Sequence, residues 1–244
     1  MPDATTGNAN QNGDNARAES ASVPDPAPPP ESPSYSYSGA TSPPHWASLS
    51  EEYATCNGDA QSPVDIVGVQ PGDALAPLRV AYATSPAQVN LDGHLTQVDL
   101  DAPGHLHFQG RRYALEQFHF HTPSEHTRAG RHFPAEAHLV HAGDGGDVAV
   151  VGVWVKEGAE NAMLHRLLTG AGAQADASRL LPGDRSYYTY TGSLTTPPCT
   201  EGVRWIFMQE PISLSPRQIE ALKGECTNRP VQPLNGRSVL DYEE

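Results

Sequence analysis

Lysine is almost missing from this chain: of 15 basic residues among 244, only Lys156 and Lys223 are lysines. Acidic residues number 29, which sets the formal net charge at −14. That balance argues against nucleic acid as a partner, because phosphate binding needs a basic face, and it disfavours anionic membrane surfaces equally. No stretch approaches the roughly 18 consecutive apolar residues of a membrane span. The start, MPDATTGNANQNGDNARAES, is polar and lacks the apolar core of an export signal. Two readings remain at this point: a cytosolic protein, or a mature form whose signal has been removed. Cysteine is scarce too. Cys56, Cys199 and Cys226 are the only three, and none has zinc-finger spacing.

Residues 1–34 contain no Phe, Trp, Tyr, Ile, Leu or Cys but seven prolines and five acidic residues. Such a segment cannot bury enough apolar surface to offset the entropy of ordering, so a disordered tail is expected there. The folded domain is expected over 35–244. Within it the signals are mostly of strands: residues 78–83, 94–100, 113–121, 135–141, 147–155 and 203–209 are rich in branched and aromatic side chains, several alternating with period two. Two helices are expected, at 160–168 and 215–223. The second has Ser215 as N-cap, Pro216 at the first helical position and Gly224 beyond its end. A mainly β domain with a few peripheral helices follows.

Six of the 11 histidines crowd into residues 118–141, FHFHTPSEHTRAGRHFPAEAHLVH. On a strand, Gln117, His119 and His121 project from one face and Phe118 and Phe120 from the other. On the next strand Glu136, His138 and Val140 share a face, while His141 points away. If the two strands pair, His119, His121 and His138 converge. Three neutral imidazoles suit zinc and leave a fourth position open, the pattern of a catalytic site rather than a structural one. Gln117 and Glu136 stand ready to orient the ligating rings. His126, His132 and His141 read as structural or surface residues. A cupin site stays open as an alternative, since His119, His121 and Glu125 fit the core of its first motif. Its flanking Gly is replaced by Tyr113, however, and its second motif is missing.

The chain resembles the α-class carbonic anhydrases, particularly the bacterial type, over about residues 35–244. The resemblance rests on YSYSG and HW (35–46), QSP (61–63), GH (93–94), QFHFHTPSEH (117–126), EAHLVH (136–141), YTGSLTTPPC (190–199) and NRPVQPL (228–234), in the family's order. It implies a large twisted, mostly antiparallel central sheet with peripheral helices. It implies one Zn2+ per chain on His119, His121 and His138, and reversible hydration of CO2 to bicarbonate and a proton by zinc-bound hydroxide. Thr195 and Glu125 match the pair that orients the hydroxide, and His94 matches the proton shuttle. Thr196, Val140, Val150, Leu194, Val203 and Trp205 match the substrate pocket. Tyr37, Gln97 and Gln117 match positions that order a water chain, and Asp92 stands where the family usually has Asn. Sulfonamide and anion inhibitors are expected, with a weak esterase side reaction as a family trait, and a monomer or homodimer.

The same resemblance pairs Cys56 with Cys199 in a disulfide and implies cis bonds before Pro63 and Pro198. Disulfide use favours an oxidising compartment, hence a periplasmic or secreted mature form. Cys226 has no counterpart in the family pattern.

Overall fold

The computed structural model describes residues 34–91, 96–224 and 228–244. His94, Asp92 and Cys226, all singled out above, lie outside them.

Fifteen strands occur among the described residues. The early ones are β1 (Asp65–Ile66), β2 (Gln70–Pro71), β3 (Arg79–Tyr82), β4 (Ser85–Leu91), β5 (Thr96–Leu100) and β6 (Gly104–Phe108). The middle of the chain gives β7 (Arg111–His121), β8 (Thr127–Arg128), β9 (Ala135–Gly143), β10 (Val148–Glu157) and β11 (Gln174–Ala175). Last come β12 (Tyr187–Ser193), β13 (Glu201–Met208), β14 (Ile212–Leu214) and β15 (Leu240–Tyr242).

Thirteen of these strands form one sheet in the order β11-β4-β5-β7-β9-β10-β13-β12-β15-β2, with β6 also on β7, β3 on β6 and β14 on β10. Most neighbours are antiparallel. The parallel pairings are β10 with β13 and β14, β15 with β2, and β1 with β8 in a separate two-stranded sheet.

The sheet is two-faced because its strands alternate. Phe118, Phe120, Ala137, Leu139, Val151, Val153, Ile206 and Met208 point into the larger core, against the helices. The opposite face carries the histidines and a second apolar cluster built on Val150, Trp154, Val203, Trp205 and Phe207. Gly152 stands directly opposite His138, and a Cβ there would lie 2.3 Å from the Phe207 ring. A bare backbone at that point lets the Phe207 ring lie beside the histidines.

One irregularity decides which side chains face which way. The β7–β9 register shifts between Leu115 and Gln117. A strict two-residue period carried back from His119 would put Tyr113 and Leu115 on the histidine face; instead both join the larger core. Glu116 is the extra, exposed residue of this bulge, as expected where two residues oppose one.

The helices are short. α1 (Trp46–Leu49) buries Trp46, and α2 (Ala162–Leu168), capped by the Asn161 side chain, buries Met163, Leu164 and Leu167. In α3 (Pro216–Ala221) the Ser215 and Gln218 side chains form a reciprocal capping box, so two otherwise orphaned N–H groups are satisfied. The helix stops at Ala221, short of the expected residue 223.

Candidate metal centre

The antiparallel β7–β9 register sets His119 opposite His138 and His121 opposite Glu136. One nitrogen from each of His119, His121 and His138 falls within a set no wider than 4.8 Å. Their hydrogen bonds say which nitrogen is free. His119 Nδ1 donates to Gln117 Oε1 at 2.9 Å, and His138 Nε2 donates to Glu136 Oε1. Each ring therefore keeps a bare lone pair on its other nitrogen, and His119 Nε2 faces His138 Nδ1 at 3.2 Å. Among the described residues both nitrogens of the buried His121 lack any hydrogen bond, although Nε2 lies 3.4 Å from Glu125 Oε2.

A proton is poorly placed to relieve these facing lone pairs. Burial, with His138 as neighbour, pushes His119 down to about 3 and holds His121 well below the usual histidine range. Lone pairs aimed at one point, with orphaned buried nitrogens and low proton affinity, fit a borderline-soft dication such as zinc.

Glu136 organises the underside. Burial alone would raise its pKa, but His126 and His138 around it hold the carboxyl well below the ordinary range. Its Oε2 accepts the His126 backbone N–H at 2.9 Å and its Oε1 accepts His126 Nδ1–H at 2.7 Å. His126 Nε2 then accepts from the Tyr190 hydroxyl at 2.6 Å, and the Ser62 hydroxyl continues the chain to Tyr190 at 2.8 Å. His126 thus serves Glu136. A second set of possible ligands, His126, Glu136 and His138, is already satisfied internally by these bonds.

Glu125 is fully buried. Its Oε1 accepts the Arg229 backbone N–H at 3.0 Å, while Oε2 has no hydrogen bond. Burial pushes its carboxyl up to about 8, and the Arg229 N–H and the nearby Thr195 side chain pull the other way. Thr195 is buried, and Thr196 is half-buried at the start of a turn that Cys199 N closes onto Thr196 O at 2.8 Å. The peptide Pro197–Pro198 is cis, as is Ser62–Pro63, and Thr122–Pro123 adds a third that the sequence did not suggest. Cys199 is bonded to Cys56 across 143 positions.

Val140, Val150, Leu194, Val203 and Trp205 all fall in the one apolar cluster on the histidine face, with Val140 and Leu194 partly exposed. Gln97 is paired with His119 and shares its face. Tyr37 packs near Trp46, within electrostatic reach of Arg229.

Sequence reasoning missed His126, Tyr190 and Arg229. Arg229 is the most tightly held of them: its guanidinium donates to Gln61 Oε1, Ser62 O and Cys56 O, at 2.7, 2.9 and 2.7 Å. Its only signal was its place in NRPVQPL.

A mostly antiparallel sheet whose one face gathers three lone-pair imidazoles above an oriented carboxylate defines a histidine-triad site that could hold one metal ion. The eukaryotic-type carbonic anhydrase family matches residues 41–243. A carbonic anhydrase of Klebsiella pneumoniae is 42% identical over 219 residues, covering 83% of this chain and 89% of its own. The solved α-carbonic anhydrase of Thermovibrio ammonificans, in complex with the inhibitor sulfanilamide, is 43% identical with a TM-score of 0.79, covering 86% of this chain and 99% of that one. A dioscorin solved with ascorbate is 33% identical, with a TM-score of 0.80 and coverage of 86% and 98%. The chain belongs to the α-carbonic anhydrase family, and the cupin alternative falls.

Proposed function

We propose that the chain is a zinc-dependent carbonic anhydrase that hydrates CO2 reversibly to bicarbonate and a proton. Zinc supplies, when bound, a Lewis acid that makes water acidic enough to yield hydroxide near neutral pH, and this family is itself the standard instance of that effect. Its holders are His119 through Nε2, His138 through Nδ1 and His121. Gln117 and Glu136 take the remaining N–H of the first two, fixing tautomer and ring orientation.

Glu125 Oε2, which makes no hydrogen bond among the described residues, is the acceptor for the Thr195 hydroxyl. Thr195 Oγ must then accept from the attacking oxygen, which turns that oxygen's lone pair toward the substrate. Val140, Val150, Leu194, Val203 and Trp205 supply an apolar wall suited to CO2, with Thr196 at its edge. His94 exports the proton through its imidazole, with Gln97, Gln117 and Tyr37 ordering the path and Asp92 tuning it. The buried disulfide supports an oxidising, periplasmic or secreted setting.

The observation that carries this reading is the pair of facing lone pairs on His119 and His138 beside the unpartnered His121. The test is metal content together with stopped-flow CO2 hydration, blocked by a sulfonamide and repeated on His119→Ala. The similar dioscorin was solved with ascorbate bound, which supports a second reading, a binding module without catalysis. Stoichiometric zinc with no hydration would support that module and sink the enzyme.

A further inference from the structure

Beside the histidines, the same sheet face carries a row of carboxamides. Register sets Gln88 opposite Asp99, Asn90 opposite Gln97, Gln97 opposite His119 and Asp99 opposite Gln117. A single carboxylate, Asp99, stands among these four amides, and both its oxygens are engaged. Gln97 Nε2 donates to Asp99 Oδ1 at 2.7 Å, and Asn90 Nδ2 donates to Asp99 Oδ2. Asn90 Oδ1 in turn accepts from Gln88 Nε2 at 3.4 Å.

An ionised carboxylate only accepts, whereas an amide can present either end. Asp99 therefore decides the polarity of Gln97: its NH2 turns to Asp99, and among the described residues its Oε1 is left as a bare acceptor. Gln117 is set the other way, because its Oε1 takes the His119 Nδ1–H and its NH2 remains as a donor. Two neighbouring amides thus display opposite groups.

We infer that Asp99 is a positioning residue for proton export, acting through Gln97; this rests on the proposed function. A water that donates one O–H to Gln97 Oε1 and accepts one N–H from Gln117 has one lone pair and one O–H left. It receives a proton on the first and releases one from the second, so one O–H bond forms as another breaks. With Asp99 replaced by an amide, Gln97 is free to flip and that polarity is lost.

The test compares the whole chain with Asp99→Asn and Asp99→Glu, zinc-loaded and zinc-free. With zinc, Asp99→Asn lowers turnover in weak buffer by roughly three- to tenfold, while kcat/KM for CO2 stays at the wild-type value and added imidazole restores turnover. Asp99→Glu, still acceptor-only, keeps turnover near wild type. Without zinc, the Gln97 side-chain amide resonances, identified by their loss in Gln97→Ala, move in Asp99→Asn and hold in Asp99→Glu. Unmoved resonances in Asp99→Asn overturn the inference, as does a parallel fall of kcat and kcat/KM. Should the wild type hydrate no CO2, the functional reading fails while the resonances still decide what Asp99 does to Gln97.

Discussion

Glu136 and His138, on one face of β9, are hydrogen-bonded to each other, Oε1 to Nε2. That bond turns His138 Nδ1 toward His119. Removing it in Glu136→Ala is expected to weaken zinc binding roughly 10- to 100-fold. Glu136→Gln, which keeps one acceptor oxygen, should lose less. Competition with a chromophoric chelator measures both.

His141 predicts an acid-sensitive fold. Its Nε2 accepts from the Tyr82 hydroxyl at 2.6 Å and its Nδ1 donates to Ala149 O at 3.2 Å, so it is held neutral. Burial pushes it from 6.5 down to about 4. Above pH 6.5 neither folded nor unfolded chain binds this proton. As pH falls through 6.5 the unfolded chain takes it up and the folded one refuses until about 4, costing about 3 kcal/mol by the end. Urea unfolding at stepped pH should show a smaller loss over that window in His141→Gln.

Trp154 is fully buried, stacked on Phe133 at 4.5 Å and tilted against Phe207 at 4.1 Å, yet its indole Nε1–H has no acceptor among the described residues. A buried unsatisfied donor costs about 1–3 kcal/mol. Trp154→Phe deletes that donor while keeping a ring in the stack. Its urea midpoint is expected to equal or exceed that of the wild type, against the usual penalty for shrinking a core aromatic.

Reduction of Cys56–Cys199 frees a loop spanning 143 positions. The loop-entropy argument allows a loss of up to about 5 kcal/mol. Unfolding with and without reductant measures it. Under denaturing conditions one thiol, from Cys226, should titrate before reduction and three afterwards.

Much of the site was legible because a strand obeys one simple rule. Alternation alone set His119, His121 and His138 on converging faces and sent His141 to the other side. His126 was illegible for the same reason: it lies in the connection after β7, where no period applies, and it is buried beside Glu125 by tertiary contacts. Strand positions were readable where branched residues run together, as in β10, and unreadable in β12, where six of the seven residues of YYTYTGS carry a hydroxyl and no apolar–polar alternation shows. The parallel pairing of β10 with β13 left no local trace, since it depends on how distant segments cross.

Glu116 gives β7 a built-in change of frame. Deleting it would join Leu115 directly to Gln117, opposite the consecutive His141 and Val140, so the pairing would run on unbroken and each side chain would keep its face. Keeping Glu116 but forcing it into regular pairing is what costs one half of the strand: either the phenylalanines surface and the histidines turn into the apolar core, or Tyr113 and Leu115 trade places with the solvent. The two halves of the strand are therefore separate cassettes joined by a one-residue spacer. The bulge and a direct junction both keep the two halves in phase, so what Glu116 adds is the local bend of the strand rather than the choice of face.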